Sequence, residues 1–189
     1  IAVESLEKTS ALAPSEQCSL LLAQAYQNLG QFKEAINEYK KIDIKQSKNK
    51  IIPFNLGLCL LNTGNNIDAT EAFKIAVQLD ESFLPAWGNL GNALKAAGRL
   101  KEAIQATKKV LDLDPDNPGT HMNLGGIYKD LGQLDQALAA TLKALELKTD
   151  NPTAHMNLGG IYQDLGQLDQ ALAATLKSLE LKPDNPSAN

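Results

Sequence analysis

The chain has 189 residues, 43% of them hydrophobic and 21% charged, with a net charge of −4. No stripe of Lys and Arg marks a nucleic-acid surface, no run of 18 apolar residues could cross a bilayer, and no cationic-then-apolar leader opens the sequence. These counts argue against nucleic acid and membrane as partners and leave an ordinary amount of apolar material to be buried.

Asp116-Asn117-Pro118 recurs as Asp150-Asn151-Pro152 and as Asp184-Asn185-Pro186, each 34 residues after the last. Residues 118–151 and 152–185 differ at five positions out of 34. A fixed period of this length means a stack of equal structural units. In chain order, residues 2–14 read as the second helix of a preceding half unit. Complete units follow at 16–49, 50–83, 84–117, 118–151 and 152–185, and residues 186–189 open a truncated one.

Within each unit, positions 2–14 and 18–30 are predicted helices, and no segment alternates with the period of a strand. The first unit has Ser19 at position 4, Gly30 at position 15 and Ala35 at position 20, and ends in the basic stretch Lys40–Lys50, expected to be a solvated loop. The second repeats the frame as Leu56, Gly57, Gly64 and Ala69, and the third as Trp87-x-x-Leu90-Gly91-x-x-Leu94, Gly98, Ala103, Thr107 and Pro115. The fourth and fifth follow with Gly132 and Ala137, then Gly166 and Ala171. Leu at position 7 with Tyr or Leu at position 11 makes an apolar stripe on each first helix. The second helix buries a stripe such as Ala137, Leu138, Thr141, Leu145 and Leu147. Glycine at position 15 suits the left-handed residue that ends a helix. Asn117 can cap the next helix, with Pro118 in its first turn. Glycine at position 8 (Gly57, Gly91, Gly125, Gly159) lets helices approach closely.

This frame resembles the tetratricopeptide repeat, a helix-turn-helix unit with Trp, Leu-Gly, Tyr, Ala, Phe and Pro at those offsets. The resemblance implies an all-α, right-handed superhelical solenoid whose first helices line a concave groove that receives a protein or peptide. Its lining positions are roughly 2, 5, 6, 9, 12 and 13. Position 6 is Asn55, Asn89, Asn123 and Asn157 in four consecutive units. A primary amide offers one acceptor and two donors, so a ladder of four could hold an extended backbone with little regard to its sequence. The other candidate peptide-binding residues are Phe54, Leu58, Asn92, Lys95, Met122, Lys129, Asp130, Met156, Gln163 and Asp164. Leu20, Leu21, Gln24, Phe54, Leu58 and Leu61 suggest an apolar pocket for side-chain anchors, and Asp130 with Asp164 favours a basic ligand. Mid-helix glycines cost about 1 kcal/mol relative to alanine, so Gly126 and Gly160 either widen the groove or relieve helix packing. A carboxylate clamp would need Lys and Arg where this chain has Leu20, Gln24, Asn55, Pro85 and Asn89.

The ladder and the phrase Ala86-Trp87-Gly88-Asn89-Leu90-Gly91-Asn92-Ala93-Leu94-Lys95 are similar to the repeat region of O-linked N-acetylglucosamine transferases. There the repeats hold protein substrates, and a separate domain does the chemistry. That likeness implies an alternative role as the substrate-recruiting arm of a larger glycosyl- or sulfotransferase. A self-associating scaffold is a further alternative.

No catalytic constellation, phosphate loop or cofactor motif is present in the sequence, so no enzyme activity and no cofactor is expected. His121 and His155 share position 4 with Trp87, which makes them packing substitutes and not metal ligands. Cys18 and Cys59 read as two small buried hydrophobes at different heights on their helices, unsuited to a disulfide. Nothing suggests an oxidising compartment, so the expected location is the cytoplasm. Asn185-Pro186 repeats the signal that opens the late units, so the chain is expected to be a fragment of a longer array. Its last helix should then expose Leu172, Leu176 and Leu179, a surface through which copies could associate.

Overall fold

A computed structural model describes residues 15–44 and 46–181. The expected half repeat at 2–14, the truncated repeat at 186–189 and Lys45 of the basic stretch lie outside the described residues. The described residues are all-α: ten helices and no strand. They are α1 Glu16–Asn28, α2 Phe32–Tyr39, α3 Ile51–Asn62, α4 Asn66–Leu79, α5 Leu84–Ala96, α6 Leu100–Leu113, α7 Pro118–Asp130, α8 Leu134–Leu147, α9 Pro152–Asp164 and α10 Leu168–Leu181.

Local chemistry sets the ends. The Asn117 side chain accepts from the Thr120 amide at 2.9 Å, and Asn151 from the Ala154 amide at 3.1 Å. Each cap places proline at the first helical residue, so α7 and α9 start one residue sooner than the periodicity predicts. Gly30, Gly64, Gly98, Gly132 and Gly166 all have φ between 72° and 77°. Beyond them the chain doubles back to close the preceding helix: the Gln31 amide donates to the Tyr26 carbonyl and Gln133 to Tyr128, both at 2.9 Å. This is the Schellman arrangement, which satisfies carbonyls that a helix end would otherwise leave open.

One helix departs from expectation. The period predicts that α2 runs to about residue 45, but it stops at Tyr39. From there the amides bond three residues back, Lys41 to Glu38 and Ile42 to Tyr39, both at 3.1 Å. This tightened turn tucks Ile42 into the core at 4% exposure. The Asp43 carbonyl then accepts from the Gln46 and Ser47 amides, holding the following loop. Ile42-Asp43-Ile44 combines two β-branched residues with aspartate, weaker helix formers than Ala144, Leu145 and Glu146 at the same points of residues 118–151.

The fold divides into two compact units, Ile1–Gly98 and Arg99–Asn189. In the first, α1 packs on α2, α2 on α3, α3 on α4 and α4 on α5, with α3 also touching α5. In the second, α6 packs on α7, α7 on α8, α8 on α9 and α9 on α10, with α7 touching α9. Small residues make these contacts close. Ala35, Ala69, Ala103 and Ala137, all at position 20, are fully buried. Opposite them, a methyl group added to Gly57 would fall 2.6 Å from the Phe73 ring, and one on Gly159 would fall 2.6 Å from the Thr175 hydroxyl. The position-8 glycine thus serves contact between the two helices of one unit. Phe73 and Tyr39 fill the core of the first unit and Ile127 and Ile161 that of the second; burying a large apolar side chain such as Phe73 is worth about 1.5–3 kcal/mol.

Candidate peptide-binding face

In the first unit, Asn55 sits half-buried on α3, against the hydroxyl of Tyr39. Tyr39 is fully buried and donates to Gln27 Oε1 at 2.9 Å. Burial pushes its pKa from 10.0 up to about 12, and the Asn55 side chain pulls the other way. Asn89, half-buried on α5, donates from Nδ2 to the Pro85 carbonyl of its own helix at 2.8 Å. Phe54 packs inward: its ring centroid lies 5.8 Å from that of Phe73 and 5.0 Å from that of Phe83, edge-on to the latter. Leu58 and Lys95 are half-buried, and Asn92 is exposed. Of the residues expected to form an apolar pocket, Leu21 is exposed, and Leu20, Gln24 and Leu61 are half-buried.

In the second unit, Asn123 is half-buried on α7 and Asn157 half-buried on α9. Met122 is drawn into the contact between helices and packs against the cluster of Leu145, Ala154, Leu158 and Ala174. Its counterpart Met156 is 47% exposed. Lys129 crosses from α7 to Asp164 on α9, with Nζ 3.6 Å from the carboxylate. On the way it passes over Gly160, where an added methyl would meet Nζ at 2.6 Å. Gly160 thus leaves room for the end of the Lys129 side chain as it reaches across from the helix before. Asp164 therefore already has a basic partner within the chain, while Asp130 is exposed.

Lys129, Met156, Asn157, Gly160 and Gln163 line one wall of an open depression of about 550 Å³. The other wall is Leu168, Ala171, Leu172 and Thr175 of α10. Periodicity had drawn candidate lining residues from first helices alone, so these second-helix residues were missed as a wall. The expected exposure of Leu172, Leu176 and Leu179 was the signal pointing to them, and their exposures are 61%, 51% and 54%.

The position-4 residues have a shared job. Trp87 Nε1 donates to the Glu81 carbonyl at 2.8 Å. His121 Nε2 lies 2.8 Å from the Pro115 carbonyl and His155 Nε2 3.0 Å from that of Thr149, each six residues back. A carbonyl only accepts, so both imidazoles carry a hydrogen on Nε2. Ring N–H to carbonyl thus ties a helix start to the turn before it, and histidine replaces tryptophan in that bond. Among the described residues no group of three His, Cys, Asp or Glu is placed to hold a metal ion. No described helix is long and apolar enough to cross a membrane. Both cysteines are free thiols. Cys59 is buried as expected, and burial lifts its pKa from 9.0 to about 11. Cys18, in the first turn of α1, is only half-buried.

Sequence profiles described as TPR repeat match residues 91–132 and 125–166, and those described as tetratricopeptide repeat match 152–185 and 17–42. The chain belongs to the tetratricopeptide repeat family. Solved tetratricopeptide repeat structures have the same fold. A crystal structure of MamA superposes with TM-score 0.78 at 27% identity, covering 85% of this chain and 94% of that one. TTC0263, a thermophilic TPR protein in Thermus thermophilus, gives 0.68 at 26% identity, covering 90% and 93%. YrrB, described as a TPR protein with an unusual peptide-binding site, gives 0.75 at 18% identity, covering 97% and 95%. No curated protein matches the sequence. The fold class is therefore an all-α solenoid of tetratricopeptide repeats, a family of protein-interaction modules.

Proposed function

We propose that this chain is a non-catalytic binding module in which each compact unit holds an extended segment of a partner protein along its first helices, through the asparagines at position 6. One observation carries the reading. Asn55, Asn89, Asn123 and Asn157 recur at one helical position, and all four are neither buried nor fully exposed. A half-buried amide has a fixed orientation and still reaches a ligand. Asn157 also lines the open depression beside Met156 and Gln163, which puts amide, apolar and polar surface within reach of one peptide. Asn55 and Asn89 have internal partners at Tyr39 and Pro85, so a ligand must exchange with those bonds. Their net contribution should accordingly be smaller than that of Asn157.

Each neutral hydrogen bond should contribute about 0.5–1.5 kcal/mol. A partner peptide selected from a display library should therefore lose affinity by orders of magnitude when all four asparagines become alanine. Circular dichroism should show unchanged helix content in that variant. Unaltered affinity in the folded quadruple variant would remove the ladder from the site.

A further inference from the structure

Gln27 of α1 stands outside the ladder, yet a buried hydroxyl ties it to Asn55. Tyr39 of α2 is fully buried; its hydroxyl donates to Gln27 Oε1 at 2.9 Å and lies against the Asn55 side chain of α3. A phenol has one hydrogen to give. Gln27 takes it, so Asn55 meets the same oxygen as a donor, through Nδ2. Its downward pull on the Tyr39 pKa has that sign. Both amides are thereby fixed in orientation. Gln27 keeps its Nε2 hydrogens and Asn55 its Oδ1 for a ligand, and both side chains are half-buried. The arrangement occurs once. At the position of Tyr39 the later repeats carry Phe73, which has no hydroxyl, then Thr107, Thr141 and Thr175. The Thr175 hydroxyl donates to the Ala171 carbonyl of its own helix at 2.8 Å. α1 has Leu21 where the ladder has asparagine, so Gln27 supplies the amide that this helix lacks at position 6. No lining position of α1 or α3 carries a charge, and Leu20, Leu58 and Leu61 there are half-buried. A charged ligand side chain would find no counter-ion among them.

We propose that Gln27 and Asn55, oriented by the Tyr39 hydroxyl, clamp a single residue of an uncharged, extended peptide. Gln27 Nε2 donates to that residue's carbonyl, and Asn55 Oδ1 accepts from its amide. In an extended strand the N–H and C=O of one residue point to the same side, so one residue can satisfy both. A ligand seeking Asn55 Nδ2 has to exchange with Tyr39, whereas this mode leaves that bond in place. Tyr39 touches no ligand and is a positioning residue. The inference rests on the reading that first helices hold an extended segment, and it names the chemistry of that segment in the first compact unit.

The probes are short peptides selected from a random display library on the whole chain, and those that slow amide exchange in α1 and α3 are carried forward. Their bound segment should be uncharged. Gln27→Glu separates recognition from packing, because a carboxylate oxygen still accepts from Tyr39 but has no hydrogen to give. Binding should fall at least about tenfold in that variant and about two- to tenfold in Tyr39→Phe, with helix content unchanged in both. Replacing the clamped peptide amide by an ester removes its hydrogen; this should weaken binding to the wild type and cost less with Tyr39→Phe. Four results would each overturn the proposal: no selected peptide protecting those helices, a charged side chain required in the bound segment, binding indifferent to Gln27→Glu, or an ester cost equal in wild type and Tyr39→Phe. The quadruple asparagine variant tells the clamp from the ladder. A peptide weakened by it yet indifferent to Gln27→Glu would remove the clamp alone, and indifference to both would remove the ladder as well.

Discussion

Lys50 reaches two partners at once: its ammonium bonds the carboxylate of Asp80 and lies 4.7 Å over the ring of Phe83, which in turn meets Phe54 edge-on. Lys50, then the hydroxyl and amide of Ser82, hold the Asp80 pKa down, from 3.8 to about 2. A carboxyl that ionises more readily when folded stabilises the fold above its unfolded pKa and loses that contribution as pH falls towards the folded one. Above about pH 4 the wild-type chain should therefore melt at a higher temperature than Asp80→Asn, and the gap should close between pH 4 and pH 2. Thermal melts across that range check it; a gap independent of pH would rule the pair out as its source. None of this was legible in the sequence. Lys50 read only as the end of a solvated basic stretch, because ion pairs and ring contacts about 30 residues apart leave no local signature.

Glycines in first helices play opposite parts. A methyl added to Gly57 in α3 would stand 2.6–2.8 Å from three atoms of the Phe73 ring, which is fully buried and flanked by Phe54. Overpacking of this kind typically costs about 1–3 kcal/mol. The same methyl on Gly88 in α5 meets nothing within 4 Å. There alanine should simply restore helix propensity, a gain of up to about 1 kcal/mol. Urea unfolding should place the midpoint of Gly57→Ala below the wild type and that of Gly88→Ala above it. Midpoints moving together would mean that close packing at position 8 is not what distinguishes them. The close approach at Gly57 was readable from its recurrence at a fixed offset. The role of Gly160 was not, because it depends on where a lysine from another helix comes to lie. The early end of α2 was also hidden, since the 34-residue frame continues through it unchanged.

In a linear array each helix is held by its immediate neighbours, so protection should follow how many sides of it are covered and how long it is. α8 has α7 on one side and α9 on the other, and its Ala137, Thr141 and Ala144 are wholly buried. α2 has eight residues where each other second helix has 14. Native-state amide exchange should be slowest in 134–147 and clearly faster in 32–44; the reverse order would show that stability is not shared out locally. The helix pairs were legible at this scale because period, caps and turn glycines are all local signals. Which apolar face lay open was legible too, but not that α10 and α9 would form two walls of one cleft. The near-identity of residues 118–151 and 152–185 also bears on inheritance. If a duplication or deletion in the coding DNA added or removed one such 34-residue block, the helices on either side of the join would meet a surface already fitted to them. Only the five differing positions, Lys129 against Gln163 among them, would register the event. The number of repeats can therefore change between generations without any contact having to evolve anew.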